Sequence, residues 1–119
     1  MMLDPETVLF TGESEPADAL LKLQAGVYYD HVFAGLTGSR MSLVDKQAGR
    51  KVHVDFDEHF EHMTVYAPDD AEFVCIEPWT LGLGAFCYLD KPGWENGELV
   101  PVLRPGETRI LRATYGVEL

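Results

Sequence analysis

The chain has 119 residues, of which 20 are acidic and 9 basic, giving a formal net charge of -11 at pH 7. That length supports one hydrophobic core and not two. A surface field this negative repels phosphate backbones and anionic lipid headgroups, so neither nucleic acid nor a membrane surface is expected as a partner.

Taken in order, Thr7 to Phe10 is predicted as a short strand and Thr11-Gly12-Glu13-Ser14-Glu15-Pro16 as an acidic turn. Asp18 to Gln24 is predicted as a helical turn or two, with Leu20, Leu21 and Leu23 facing inward. The first residues, Met1-Met2-Leu3-Asp4-Pro5-Glu6, lack a basic stretch leading into an apolar one, and no apolar run approaches the ~20 residues that span a bilayer. A cytoplasmic location is expected.

From Tyr28 onward the pattern is that of strands. Ser39 to Val44 alternates, with Met41 and Leu43 on one face, and Asp45-Lys46-Gln47-Ala48-Gly49-Arg50 is a polar turn with a glycine free to adopt positive φ. Val52, Val54 and Phe56 then share a face opposite His53, Asp55 and Asp57, so the two segments predict a hairpin. Met63 to Tyr66 is the next strand, closed by Ala67-Pro68-Asp69-Asp70, and Phe73 to Ile76 follows at hairpin distance as a strand buried on both faces. Pro78 has no main-chain donor and biases Glu77 toward extended geometry, so the ladder is expected to end with Glu77 at its mouth.

Leu81 to Gly97 contains Gly82, Gly84, Pro92, Gly93 and Gly97 and reads as a long loop. Leu99 to Leu103 is predicted as a strand and Arg104-Pro105-Gly106-Glu107 as a turn. Arg109 to Leu119 closes the chain, with Leu111, Ala113, Tyr115, Val117 and Leu119 alternating against Arg112, Thr114, Gly116 and Glu118. Many strands at short spacing between Pro and Gly turns define a single all-β domain over 1–119, an antiparallel β-sandwich or barrel.

Two carboxylates stand apart from the rest. Glu77 ends the apolar Cys75 segment and precedes Trp79, whose flat ring with one polar handle suits a sugar ring or the wall of a cleft. Asp30 lies in Tyr28-Tyr29-Asp30-His31-Val32-Phe33, among aromatic neighbours that make simple solvation less expected, with His31 beside it as a further ligand contact. Two carboxylates, a histidine and aromatic surface around one cleft could deprotonate a sugar hydroxyl if burial or a neighbouring charge tunes one of them. The plainer alternative makes Glu77 a solvated strand end, Trp79 a core residue and Asp30 the opening of a turn. Cys75 and Cys87 are the only cysteines, which rules out a disulfide framework and a four-cysteine zinc site. A separate hypothesis rests on His53-Val54-Asp55-Phe56-Asp57-Glu58-His59-Phe60-Glu61-His62, where His53, Asp55 and Asp57 on one strand face could take a divalent metal; its alternative is a polar strand face running into a solvated turn.

Tyr29-Asp30-His31-Val32-Phe33, Gly49-Arg50-Lys51-Val52, Phe73-Val74-Cys75-Ile76-Glu77-Pro78-Trp79 and Val102-Leu103-Arg104-Pro105-Gly106-Glu107, in this order and spacing, resemble the C-terminal part of the aldose 1-epimerase (galactose mutarotase-like) family over about residues 28–119. The resemblance implies part of a β-supersandwich that binds an aldohexose on one sheet and interconverts its α and β anomers without a cofactor or metal. It implies that Glu77, matching the Glu of the family's Cys-x-Glu motif, is the general base, and that Asp30, from the Asp-x-x-Phe segment, holds the sugar. Trp79 stands where some members carry Gln.

The family's full domain is more than twice this length, and its catalytic acid and a second sugar contact are histidines in the half preceding the matched region. General acid catalysis contributes about 10²–10⁴-fold, so the expectation is a slow or inactive enzyme unless His31 or His62 substitutes. The chain then reads as a truncated epimerase-like protein, or as a half-sandwich that completes itself by self-association or by pairing with a complementary chain. A non-catalytic carbohydrate-binding or assembly module is the alternative.

Overall fold

The structure, a computed structural model, describes residues 13–17, 20–70, 72–82, 84–88 and 102–119. Six strands occur among them: β1 (Tyr29–Ala34), β2 (Arg40–Asp45), β3 (Arg50–Phe56), β4 (His62–Ala67), β5 (Cys75–Trp79) and β6 (Ala113–Glu118). They form two antiparallel sheets, the first in the order β1-β4-β5 and the second in the order β2-β3-β6. The protein is all-β, as the turn spacing predicts.

The β2–β3 hairpin follows from local chemistry. The Asp45 carboxylate accepts the main-chain N–H groups of Gln47 and Ala48, both at 3.0 Å. Gly49 then takes φ 63°, a left-handed value that costs glycine nothing. The ladder that results sets Met41 opposite Val54 and Leu43 opposite Val52, so the apolar residues of both strands share a face. Asp57 turns the chain out of this sheet: its carboxylate accepts the N–H of His59 at 3.1 Å and that of Arg112 at 2.6 Å. One side chain thus ties the crossover to the approach of the last strand.

The core lies between the sheets. Val54 and Phe56 from β3 meet Met63 from β4, and Phe33, Leu36, Met41, Phe60 and Ile76 pack around them. Val54 and Met63 are the largest side chains removed almost completely from solvent. Alternation carries this through: Phe33, Met63 and Pro78 form one cross-strand row of the first sheet and face inward, which turns Val32, Thr64 and Glu77 to its other face.

Several expectations need correction. The Cys75 segment is not buried on both faces and does not stop before Pro78; β5 is an edge strand, half-buried along its length, and Glu77, Pro78 and Trp79 pair with Thr64, Met63 and His62. An edge strand leaves one row of main-chain groups unpaired, which is where proline is tolerated. Leu20 to Gln24 is irregular, with Leu20 and Leu21 exposed and Leu23 half-buried, and no helical turn forms there. Val102 and Leu103 are exposed and irregular, and the closing strand begins at Ala113, not Arg109. The predicted strand Thr7 to Phe10, most of the loop expected over Leu81 to Gly97, and the first three residues of the strand expected over Leu99 to Leu103 lie outside the described residues. Among the described residues no helix is long and apolar enough to cross a membrane.

Candidate functional site

The outer face of the first sheet carries Asp30, Val32 and Ala34 from β1, His62, Thr64 and Tyr66 from β4, and Cys75, Glu77 and Trp79 from β5. Cys75, Glu77 and Trp79 follow one another at every second position, so they line one edge of this face. The Trp79 indole N–H donates to the Glu77 carboxylate at 3.0 Å. On its other side Glu77 faces the Cys75 thiol, whose pKa is pushed up first by burial and then by the Glu77 carboxylate. Glu77 is therefore held in one orientation by both strand neighbours. Opposite it in the ladder stands Thr64, buried, with a hydroxyl oxygen that has no hydrogen-bond partner among the described residues.

Asp30 shares this face. It lies in the row of Tyr66 and Cys75, one pleat from the row that holds Thr64 and Glu77. Strand spacing and rise put the Asp30 and Glu77 backbones roughly 12 Å apart, too far for the carboxylates to touch each other, and Val32 and Thr64, in the Glu77 row of the same face, are only 2% and 3% exposed. Around Asp30 the surface is aromatic. Tyr28 donates its hydroxyl to Asp30 at 3.3 Å and meets Tyr66 edge-on at 6.0 Å between ring centroids, while Tyr66 meets Phe73 at 6.3 Å. Tyr28 and Phe73 are exposed, so the cluster presents ring surface to solvent.

His31 does not join them. As the neighbour of Asp30 on an extended strand it points to the opposite face, where its ring lies between Tyr29 and Phe33, 5.7 and 6.3 Å away. The sequence expectation of a sugar contact from His31 on the Asp30 surface is corrected by that alternation. His62 is the histidine that shares the face, two positions from Thr64. It is buried, and desolvation holds its pKa below the ordinary 6.5, with Glu61 opposing.

The unfolded chain then takes up a proton that folded His62 resists, so stability is full above pH 6.5 and falls as the pH drops through that value. Urea midpoints measured at pH 7 and pH 5 should show this fall, and His62→Gln should flatten it. An unchanged slope in the variant would assign the pH dependence to other groups.

A hollow of about 410 Å³ adjoins the end of β5, lined by Phe60, Pro78, Trp79, Thr80, Leu81, Gly82 and Gly84. It is a shallow depression, open to solvent over most of its extent. Neither Asp30 nor Glu77 lines it; Trp79 is the residue that belongs both to the hollow and to the carboxylate face.

The segment considered for metal binding is differently occupied. Asp55 is engaged by Arg40 through two guanidinium contacts of 2.5 and 2.7 Å, and Asp57 accepts two main-chain N–H groups. His53 lies 3.7 Å from Asp55 and 3.5 Å from Glu118 on the outer face of the second sheet. No group of three His, Cys, Asp or Glu side chains among the described residues could hold a metal ion.

Thr64 and the Tyr28, Tyr66 and Phe73 cluster escaped the sequence reading, because strand register makes them neighbours of Glu77 and Asp30. The two-residue spacing of Cys75, Glu77 and Trp79 was the one available signal. Fold and site together define an all-β, two-sheet protein with an acidic, aromatic-edged sheet face. No protein-family model matches the chain, and neither does any curated protein or solved structure.

Proposed function

We propose that the outer face of the first sheet binds an aldohexose through Asp30, Glu77 and Trp79, and that Glu77 acts as general base in interconverting its α and β anomers. The observation that carries the reading is the placement of Asp30 and Glu77 on one face, with Glu77 oriented by the Trp79 indole at 3.0 Å. Carboxylates that accept from sugar hydroxyls beside exposed aromatic rings are what a monosaccharide needs. Glu77 removes the proton from the anomeric hydroxyl, the ring C–O bond breaks as the ring oxygen takes a proton from a water molecule, and on reclosure to either face the hydroxide so formed recovers that proton while Glu77 returns its own to the new anomeric oxygen. The roles of Glu77 as base and of Asp30 as sugar contact are those implied by the motif resemblance to aldose 1-epimerases. Two free thiols, Cys75 and Cys87, suit a reducing cytoplasm.

A non-catalytic sugar-binding role is the second reading, and one observation favours it. Desolvation keeps His62, the histidine sharing the face, uncharged at neutral pH, so the surface offers a base without a charged acid beside it. Polarimetry of freshly dissolved α-glucose and α-galactose separates the two. The proposal expects the optical rotation to relax at a rate proportional to added protein, together with a sugar-dependent change in fluorescence that is lost in Trp79→Phe. Binding without acceleration selects the second reading, and absence of both responses overturns sugar recognition at this face.

A further inference from the structure

The second sheet ends at β6, and among the described residues no strand pairs with the outer edge of β6. Its apolar row continues the core face of β3, since Val54 stands opposite Tyr115 and Phe56 opposite Ala113. The two halves of that row have opposite fates. Val54 and Phe56 are 0% and 8% exposed, whereas Tyr115 and Val117 are 62% and 65% exposed, with Leu111 and Leu119 open as well. An apolar strand face beside an open ladder edge is a surface prepared for another strand.

Hydrogen-bond polarity specifies how that strand must lie. The Asp57 N–H donates to the Arg112 carbonyl at 3.1 Å, and the Arg112 N–H donates to the Asp57 carboxylate, so the even-numbered residues of this segment direct their main chain toward β3. The main-chain groups of Ala113, Tyr115 and Val117 therefore point outward. Charge is distributed with the same order: Arg112 precedes the strand and Glu118 ends it. The Arg112 guanidinium makes no ion pair among the described residues, and the Glu118 side chain, although in contact with Lys51 at 3.2 Å, remains 52% exposed.

We propose that a second copy of this chain pairs antiparallel along β6, about a twofold axis at Tyr115, to give one sheet in the order β2-β3-β6-β6-β3-β2. In this register Tyr115 faces Tyr115 of the second copy and Ala113 faces Val117. Outward-pointing main-chain groups meet outward-pointing groups, so each of Ala113, Tyr115 and Val117 donates and accepts one hydrogen bond. Arg112 of each copy stands opposite Glu118 of the other, and Leu111 opposite Leu119.

Moving the axis to Thr114 sets Arg112 against Gly116, and moving it to Gly116 sets Glu118 against Thr114. Both ion pairs are lost either way. Intermediate positions turn apolar side chains to the wrong face. Exposed ion pairs contribute little affinity, but here they select the register, while the strand edge and the apolar row supply the attraction. The charge of -11 on each copy opposes approach at long range, and salt screens that repulsion within about 8 Å at physiological ionic strength.

The test is the mass of the full-length chain across a concentration series, by sedimentation equilibrium. The wild type is expected to rise from 13.3 kDa toward twice that value. Arg112→Glu and Glu118→Arg should each weaken association about tenfold, because both symmetry-related pairs become repulsive. The double variant R112E/E118R should recover it, since the pairs are rebuilt with their signs exchanged. Tyr115→Lys sets like charges against each other on the twofold axis at an exposed position, and it should be monomeric and folded. A wild type that stays at 13.3 kDa throughout overturns the proposal. So does a dimer that Arg112→Glu and Tyr115→Lys leave intact, or a double variant no better than the single ones.

Discussion

Truncating Met63 to alanine is expected to remove about 2–5 kcal/mol of stability, the range for deleting a large buried side chain that its surroundings cannot fill. Met63 is 1% exposed and sits where the two sheets meet, against Val54 and Phe56 of the opposite layer. The hole left behind would be lined by both sheets, and neither can advance without breaking its own ladder. A domain of this size has about 5–15 kcal/mol in total, so the variant should sit close to its unfolding threshold. Urea unfolding of Met63→Ala beside Val44→Ala makes the comparison internal: Val44 is as apolar but 55% exposed, and its truncation should stay within about 0.5 kcal/mol of wild type. Equal losses at the two positions would mean that the core is not where β3 and β4 face each other.

How far the sequence anticipates this structure depends on whether a feature is local. The β2–β3 hairpin was legible because alternation in Met41, Leu43, Val52 and Val54 coincides with a turn whose Asp45 and Gly49 supply their own geometry. The course of β5 was not, because whether Pro78 ends a ladder depends on whether the strand has one neighbour or two, and that is decided by tertiary pairing. The alternation in β6 was equally plain, yet its exposure could not be read: an apolar stripe shows which way side chains point and not whether another sheet lies over them. The same division runs through the site. That His31 and Asp30 face opposite ways follows from adjacency on one strand, whereas the common face of Asp30 and Glu77 requires the register of both across β4. The metal hypothesis failed to gather ligands for a related reason, since the partners of Asp55 and Asp57, Arg40 and Arg112, come from distant stretches of chain.

Glu77→Gln is expected to slow anomer interconversion by about 10²–10⁴-fold, the usual contribution of a positioned acid or base, while leaving the fold unchanged. The amide keeps the shape of the carboxylate, and its oxygen can still accept the Trp79 indole N–H that now lies at 3.0 Å, so a lost acceptor would not confound the result. The substitution also carries a second readout that does not depend on turnover. The Glu77 carboxylate contributes, after burial, to the raised pKa of the Cys75 thiol. Removing that charge should lower the thiol pKa part of the way toward its ordinary value, and Cys75 should be alkylated faster at a fixed mildly alkaline pH. The measurement is made in a Cys87→Ser background, because Cys87 is exposed and would dominate the reaction. Faster alkylation with abolished mutarotation would support Glu77 as the base at the position described. Faster alkylation with a wild-type rate would confirm the local geometry and remove Glu77 from the chemistry. Unchanged alkylation would mean that the Cys75 and Glu77 side chains do not meet in solution, and the orientation on which the proposed base depends would fall with it.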